Sequence, residues 1–289
     1  TIKRFFGILK SSFTPSVYTL DSLSIYIGYD NWQGFIENYQ SDQEQISLFE
    51  KQWNLIKTEF EEYSDISIKS IQSGSYANRG EYFFDGFIEK WISQFFDSNK
   101  IATAFIAPSG MGKSSIINSI VCHYWKSPVS NRKNDLYLLI DCSHLQKIIN
   151  ENFNLNDFLI NLSGFSRKIT GKLIGHYKKQ KCGRKIVIIF DRLEHIVQHK
   201  KLELFIVELL YFIIAYSDNP LFKIIISCRP FTWNLLINKI NELRDVHRHW
   251  FRVQFFQEEV SNINIPTLSG LEIDELLKSN KLNLNYERL

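Results

Sequence analysis

The sequence is short of the features that mark a secreted, disulfide-stapled or membrane-spanning chain. Its four cysteines, Cys122, Cys142, Cys182 and Cys228, are far apart and form no Cys-x-x-Cys pair. That spacing argues against a metal site, and two of the four fall in or beside strand-like apolar runs, so reduced core thiols are expected. The longest apolar run, Leu202 to Tyr216, is interrupted by Glu203 and Glu208 and is too short to cross a bilayer, which makes it a core helix. No basic-then-apolar leader opens the chain, so nothing argues for secretion and a cytoplasmic location is expected, without a membrane partner. Charge of one sign is scarce as well: 34 Lys and Arg against 31 Asp and Glu leave a formal +3, which neither demands nor excludes a nucleic-acid partner.

What is present is apolar and aromatic. Of 289 residues, 44% are hydrophobic, enough to build one large α/β domain with a small accessory domain. The chain starts at Thr1 without a methionine and stops at Leu289 just after a helix begins, the pattern of a piece of something longer.

Residues 1–40 read as short helices, Thr1 to Lys10, Thr19 to Ile27 and Trp32 to Tyr39, around a Gly28-Tyr29-Asp30 turn. Leu20, Leu23, Ile27, Trp32, Phe35 and Ile36 would close a small cluster there, and a helix-turn-helix-like module or a plain packing module fits. Ser41-Asp42-Gln43-Glu44 has capping-box spacing, so a helix is expected to begin at that point. Ile46, Phe49, Trp53, Ile56 and Phe60 then recur in steps of three and four, one aromatic-rich stripe suited to core packing. Ile66 to Gly80, with Ser73-Gly74-Ser75, reads as a linker into a helix over Phe83 to Phe96. From there strand-like runs alternate with helices: Ile101 to Ile106, Leu136 to Ile140, Lys185 to Phe190, Phe222 to Ser227 and Trp250 to Phe255. The expected architecture is therefore α/β, a three-layer fold with a central, mainly parallel five-stranded sheet, preceded by a small all-α region. Arg167 to Lys201 holds eleven Lys or Arg against Asp191 and Glu194 only, a solvated face or a surface for a phosphate-rich partner.

The chemistry concentrates at Ala107-Pro108-Ser109-Gly110-Met111-Gly112-Lys113-Ser114-Ser115. A strand feeds this loop and a helix follows it, the order in which backbone amides and a helix N-terminus cradle phosphates. Gly110 and Gly112 permit close approach. Lys113 would reach the outer phosphates, and the Ser114 hydroxyl would help to hold Mg2+. Ala107 stands where this loop pattern usually begins with glycine. A second acidic group is required on the opposite side, and Asp191, at the C-terminal tip of a strand apolar enough to be buried on both faces, supplies it, holding the metal through water. Glu194 is the candidate general base, its alternative being a surface ion pair. Arg229, in Ser227-Cys228-Arg229-Pro230 at the next strand's tip, could grip phosphate oxygens through two donors, or serve a structural ion pair.

Taken together, APSGMGKSS, IVIIFDRLEH and IIISCRP resemble the core motifs of the STAND group of P-loop ATPases, bacterial signal-transduction ATPases with numerous domains. The resemblance covers about residues 76–275. It implies ATP and Mg2+ as cofactors, Lys113, Asp191, Glu194 and Arg229 as the reacting set, and Arg229 as the reporter of nucleotide state. Arg192 stands where a small residue is common in that family, and Asn78-Arg79-Gly80 is a loose counterpart of its adenine-side segment. The expected layout is a helical module over 1–40, a connecting helix and linker over 41–75, a P-loop NTPase domain over 76–265, and the start of a helical segment, capped near Ser269, over 266–289.

The expectation that follows is an ATP-binding and ATP-hydrolysing switch domain of a signalling or defence protein, exchanging ATP and ADP. Its partners would be further copies of itself or effector and sensor domains of the same polypeptide. The competing readings are a DNA-acting ATPase of the transposition or loading type, a small-molecule kinase, and a nucleotide-gated scaffold without turnover.

Overall fold

The computed structural model describes residues 15–73, 86–163, 183–219, 221–243, 245–253 and 263–265. Two compact units divide the chain, Thr1–Asn54 and Leu55–Leu289.

In the first unit, α1 (Val17–Tyr26) starts at Ser16, whose hydroxyl accepts the Thr19 amide, and Gly28 turns the chain at a φ of 95°. The long helix α2 (Trp32–Ser73) follows and carries residues of both units. Trp32, Phe35 and Tyr39 stack along its first turns, with Tyr29 edge-on to Phe35. The expected apolar cluster is looser than its pattern implied: Ile27 is 56% exposed. The expected helix start at Ser41 is not used either. The backbone is already helical there, because Asn31 caps the helix by accepting the Gly34 amide at 2.7 Å and Asp21 accepts the Trp32 amide at 2.8 Å. Once nucleated, the helix meets no proline or glycine between Phe35 and Ser73 and continues through residues 66–73, expected as linker. The predicted stripe is buried at Phe49, Trp53, Ile56 and Phe60, while Ile46 at its start is half-buried.

The second unit holds the sheet. Its strands are β1 (Ala102–Ile106), β2 (Leu136–Asp141), β3 (Ile186–Asp191), β4 (Phe222–Cys228) and β5 (Trp250–Phe251), in the order β2-β3-β4-β1-β5 with every pairing parallel. Each expected strand is present, but β5 stops at Phe251, short of the expected Phe255, and Arg252 next to it adopts a left-handed φ of 51°. The strands are almost wholly buried, as their Val, Ile, Leu and Phe content predicts for a sheet covered on both faces. One face presents Phe105, Tyr137, Leu139, Val187, Ile189 and Ile225 to α3 (Gly86–Asp97), to α4 (Lys113–Val121) and to the end of α2. Strand alternation turns Ile188, Phe190, Ile224 and Ile226 to the other face, where Phe190 meets Phe205 of α7 (His199–Ala215) at 5.1 Å. Helices α5 (Cys142–Ile148), α6 (Leu155–Leu162) and α8 (Pro230–Glu242) complete the cover. This is the α/β, five-stranded parallel architecture expected of a P-loop NTPase fold.

Two devices finish the sheet. Edge strand β2 has outward-facing amides with no neighbouring strand among the described residues, and α2 supplies the acceptors: Leu139 N donates to Ser64 Oγ at 2.9 Å and Asp141 N to Ser67 Oγ at 3.4 Å. Beyond β5, Asn264 closes the free side of β1, accepting from Ile106 N through Oδ1 at 2.7 Å and donating to Ala104 O through Nδ2 at 2.7 Å. Cys142 and Cys228 are buried free thiols as expected, whereas Cys122 is exposed. Cys182, residues 167–182 of the basic stretch, Asn78-Arg79-Gly80 and the helix near Ser269 lie outside the described residues. No helix among the described residues is long and apolar enough to cross a membrane.

Candidate functional site

The parallel sheet brings the C-terminal tips of β1, β3, β4 and β2 to one edge, where a doubly covered sheet offers its crevice. The loop leaves β1 at Ala107, which is fully buried and donates its amide to Cys228 O at 3.2 Å. A glycine there would gain nothing visible: the small alanine side chain fits. Gly110 and Gly112 adopt φ of 84° and 77°, a left-handed backbone that L side chains avoid, and Gly112 leads directly into α4. Pro108, Ser109, Gly110 and Gly112 are exposed around the bend, while Met111 packs against the core and Ser114 and Ser115 are half-buried on the first turn.

Lys113 is only 6% exposed. Its ammonium donates to Ala107 O at 2.7 Å and Pro108 O at 2.9 Å, and Glu194 Oε1 lies 4.0 Å away. Burial lowers its pKa, with Glu194 the strongest opposing influence.

Asp191 ends β3 with no exposed surface. The Ser227 hydroxyl at the tip of β4 donates to its Oδ1, so the strand between β1 and β3 ties the acid in place. Its Oδ2 is buried without a hydrogen-bond partner. Burial raises the Asp191 pKa; the hydroxyls of Ser227 and Ser114 and the nearby Arg192 pull the other way. The first turn of α4 and the acid of β3 therefore face each other, as the sequence suggested.

Arg192 adopts a φ of 60°, uncommon for a side chain of its size, and its amide donates to Ser227 Oγ at 2.9 Å. A single 3-10 turn, Leu193–His195, follows and swings Glu194 back over the loop. Glu194 is 11% exposed and sits between two cations, with Arg229 Nε at 3.2 Å and Lys113 Nζ at 4.0 Å, while its Oε2 is buried and unpartnered. Arg229, 48% exposed just before Pro230 opens α8, also donates to Ser109 Oγ at 3.4 Å. Lys113, Ser114, Asp191, Glu194 and Arg229 are thus gathered at one place from three separate strand tips.

One member of the site escaped the sequence reading. Asp141 ends β2 in register with Asp191, is fully buried, and pairs with the Arg192 guanidinium. It also caps α5 by accepting the Ser143 amide at 3.0 Å, and accepts from Ser70 Oγ of α2 at 2.9 Å. Burial raises its pKa, but these donors and Arg192 outweigh that, leaving it below the usual carboxylate value. The signal was in plain view: Leu136-Tyr-Leu-Leu-Ile-Asp141 repeats the apolar-strand-then-aspartate pattern of the run ending at Asp191.

The donor set suits a magnesium ion bound together with phosphate. Asp191 offers a buried, unpartnered oxygen and Ser114 a hydroxyl beside it. Among the described residues, no group of three or more His, Cys, Asp or Glu side chains gathers to hold a metal unaided, so phosphate and water oxygens would have to supply the remaining ligands.

No protein-family model matches the chain, and no curated protein matches it. Among solved structures it is similar to the ORC1 protein of Aeropyrum pernix in complex with DNA, at 10% identity and a TM-score of 0.39, over 73% of this chain and 52% of that one. It is also similar to Drosophila ORC bound to poly(dA/dT) DNA and Cdc6, at 14% identity and a TM-score of 0.35, over 80% of this chain and 34% of that one. A third likeness is to C. elegans PCH-2, at 12% identity and a TM-score of 0.26, over 53% of this chain and 34% of that one. The chain thus spans about half the length of the Aeropyrum protein and about a third of the other two.

Proposed function

We propose that this chain binds ATP with Mg2+ and hydrolyses it slowly, as the nucleotide switch of a STAND-like bacterial signalling or defence protein. The supporting observation is the convergence of Lys113, Ser114, Asp191, Glu194 and Arg229 on one sheet edge, beside a loop whose two glycines hold a left-handed backbone.

In this reading the amides of residues 109–114 and the N-terminus of α4 bind the phosphates, and Lys113 leaves the carbonyls of Ala107 and Pro108 to contact the outer ones. Asp191, through Oδ2, and the Ser114 hydroxyl would hold Mg2+, which would supply charge neutralisation to the phosphates. Glu194 orients the attacking water and takes its proton at Oε2, the oxygen no neighbour engages. Arg229 keeps Glu194 in place and is free to shift toward a γ-phosphate, exchanging one anion for another, so that the tip of β4 differs between ATP and ADP.

Binding is the first test. Saturating Mg-ATP should raise the melting temperature by on the order of 5 °C at this size, and Lys113→Ala should abolish the shift. If the wild-type chain shows no shift, and a direct titration shows no binding, the site is not a nucleotide site.

A further inference from the structure

Arg192 and Asp191 present an unusual pair of loose ends. Asp191 Oδ2 and Arg192 Nε are both buried without a hydrogen-bond partner, and they face each other only as a long ion pair at 3.8 Å. Complementary charged groups that close would ordinarily move into contact, since leaving both unsatisfied is costly. Something holds the guanidinium back. Its Nη2 is engaged by Asp141 Oδ2, and Asp141 is fixed in turn by the Ser143 amide and the Ser70 hydroxyl. The backbone at Arg192 is pinned as well, by its amide bond to Ser227 Oγ and its left-handed φ of 60°.

We infer that Asp141 is a positioning residue for the metal: it holds Arg192 away from Asp191, so that Oδ2 stays available to Mg2+ instead of being neutralised by the arginine. The inference rests on the nucleotide-site reading above and deepens it. A guanidinium in full contact with Asp191 would occupy the oxygen the ion needs and repel the ion by its charge. Held by Asp141, the same guanidinium spends its charge on a second buried carboxylate. Asp141 therefore acts through Arg192 and need not touch the metal.

That order of action gives a pattern that neither a direct ligand nor a structural residue would produce. The measurement is the ATP dissociation constant by calorimetry, once in Mg2+ and once in EDTA, for four proteins; the ratio of the two constants is the metal enhancement. Asp141→Asn should leave the EDTA constant near the wild-type value, which also shows that the variant is folded. The same variant should cut the metal enhancement by about tenfold or more, because Arg192 turns onto Asp191. Arg192→Met should keep or increase the enhancement. The double variant, Asp141→Asn with Arg192→Met, should regain it to within about threefold of wild type, since no cation is left to compete.

Three results overturn the inference. Asp141→Asn with wild-type enhancement means that Arg192 is not being held back. A double variant as weak as Asp141→Asn alone means that Asp141 serves the metal directly. A loss in EDTA as large as the loss in Mg2+ means that Asp141 only maintains the fold. Wild-type chain that binds no ATP in either condition would instead remove the nucleotide-site reading itself.

Discussion

Lys113, Glu194 and Arg229 form a chain of alternating charge across the loop, 4.0 Å and 3.2 Å apart. Because Glu194 is nearly buried and its Oε2 lacks a partner, Glu194→Gln preserves the shape while removing the proton acceptor. ATP binding should survive in that variant and turnover should fall about 100-fold or more; unchanged phosphate release would remove Glu194 from the mechanism. Arg229→Ala should reduce the preference for ATP over ADP with little effect on ADP binding, read from the two dissociation constants. Most of this set was legible one residue at a time, because an apolar run ending in aspartate or an arginine before proline marks a strand tip. Asp141 was missed because its motif lacks any following acid. Its partner Arg192 looked like a departure from pattern, and only the register of β2 against β3 shows the two acting together.

Two elements carry unusual local duties. The serines of α2 stand in for a missing strand beside β2, so Ser64→Ala combined with Ser67→Ala would leave two buried amides without acceptors. A loss of about 1–3 kcal/mol per amide is expected in chemical denaturation, and a neutral result would mean that water reaches the edge. On β4, Lys223 is buried and donates to the carbonyls of Phe95, Ser98 and Lys100, closing the end of α3 at 3.0, 2.8 and 2.6 Å. Burial brings its pKa down to about 7 from the ordinary 10.5. Between those two values the unfolded chain holds a proton that the folded chain lacks, so raising the pH favours the folded state. The penalty is complete below pH 7 and is relieved as pH rises toward 10.5. Wild-type stability should therefore climb over that window relative to Lys223→Met, and parallel pH profiles of the two proteins would contradict it. The serine ladder was hidden in the sequence: Ser67 and Ser70 fall in the stretch expected as linker, and Ser64 lies just before it. Spacing alone does not say that a strand edge lies opposite them. The helix start expected at Ser41 failed for the converse reason: a cap is used only where the helix has not already begun.

For the whole molecule, alternating strand-like and helical runs were enough to anticipate the parallel sheet, since each strand's unbroken Val, Ile and Leu content requires cover on both faces. The strand order was not legible, and it matters most for the site. Placing β4 between β1 and β3 puts Ser227 where it can tie Asp191 to the tip that carries Arg229. The proposed function depends on that placement, with the glycine bend and the acidic strand end sharing one ligand. A crystal structure grown with Mg2+ and a non-hydrolysable ATP analogue tests it most directly. The expected result is triphosphate density cradled by residues 107–114, with a metal between the Ser114 hydroxyl and Asp191. Nucleotide bound elsewhere, or phosphates in the bend with Asp191 taking no part, would contradict it.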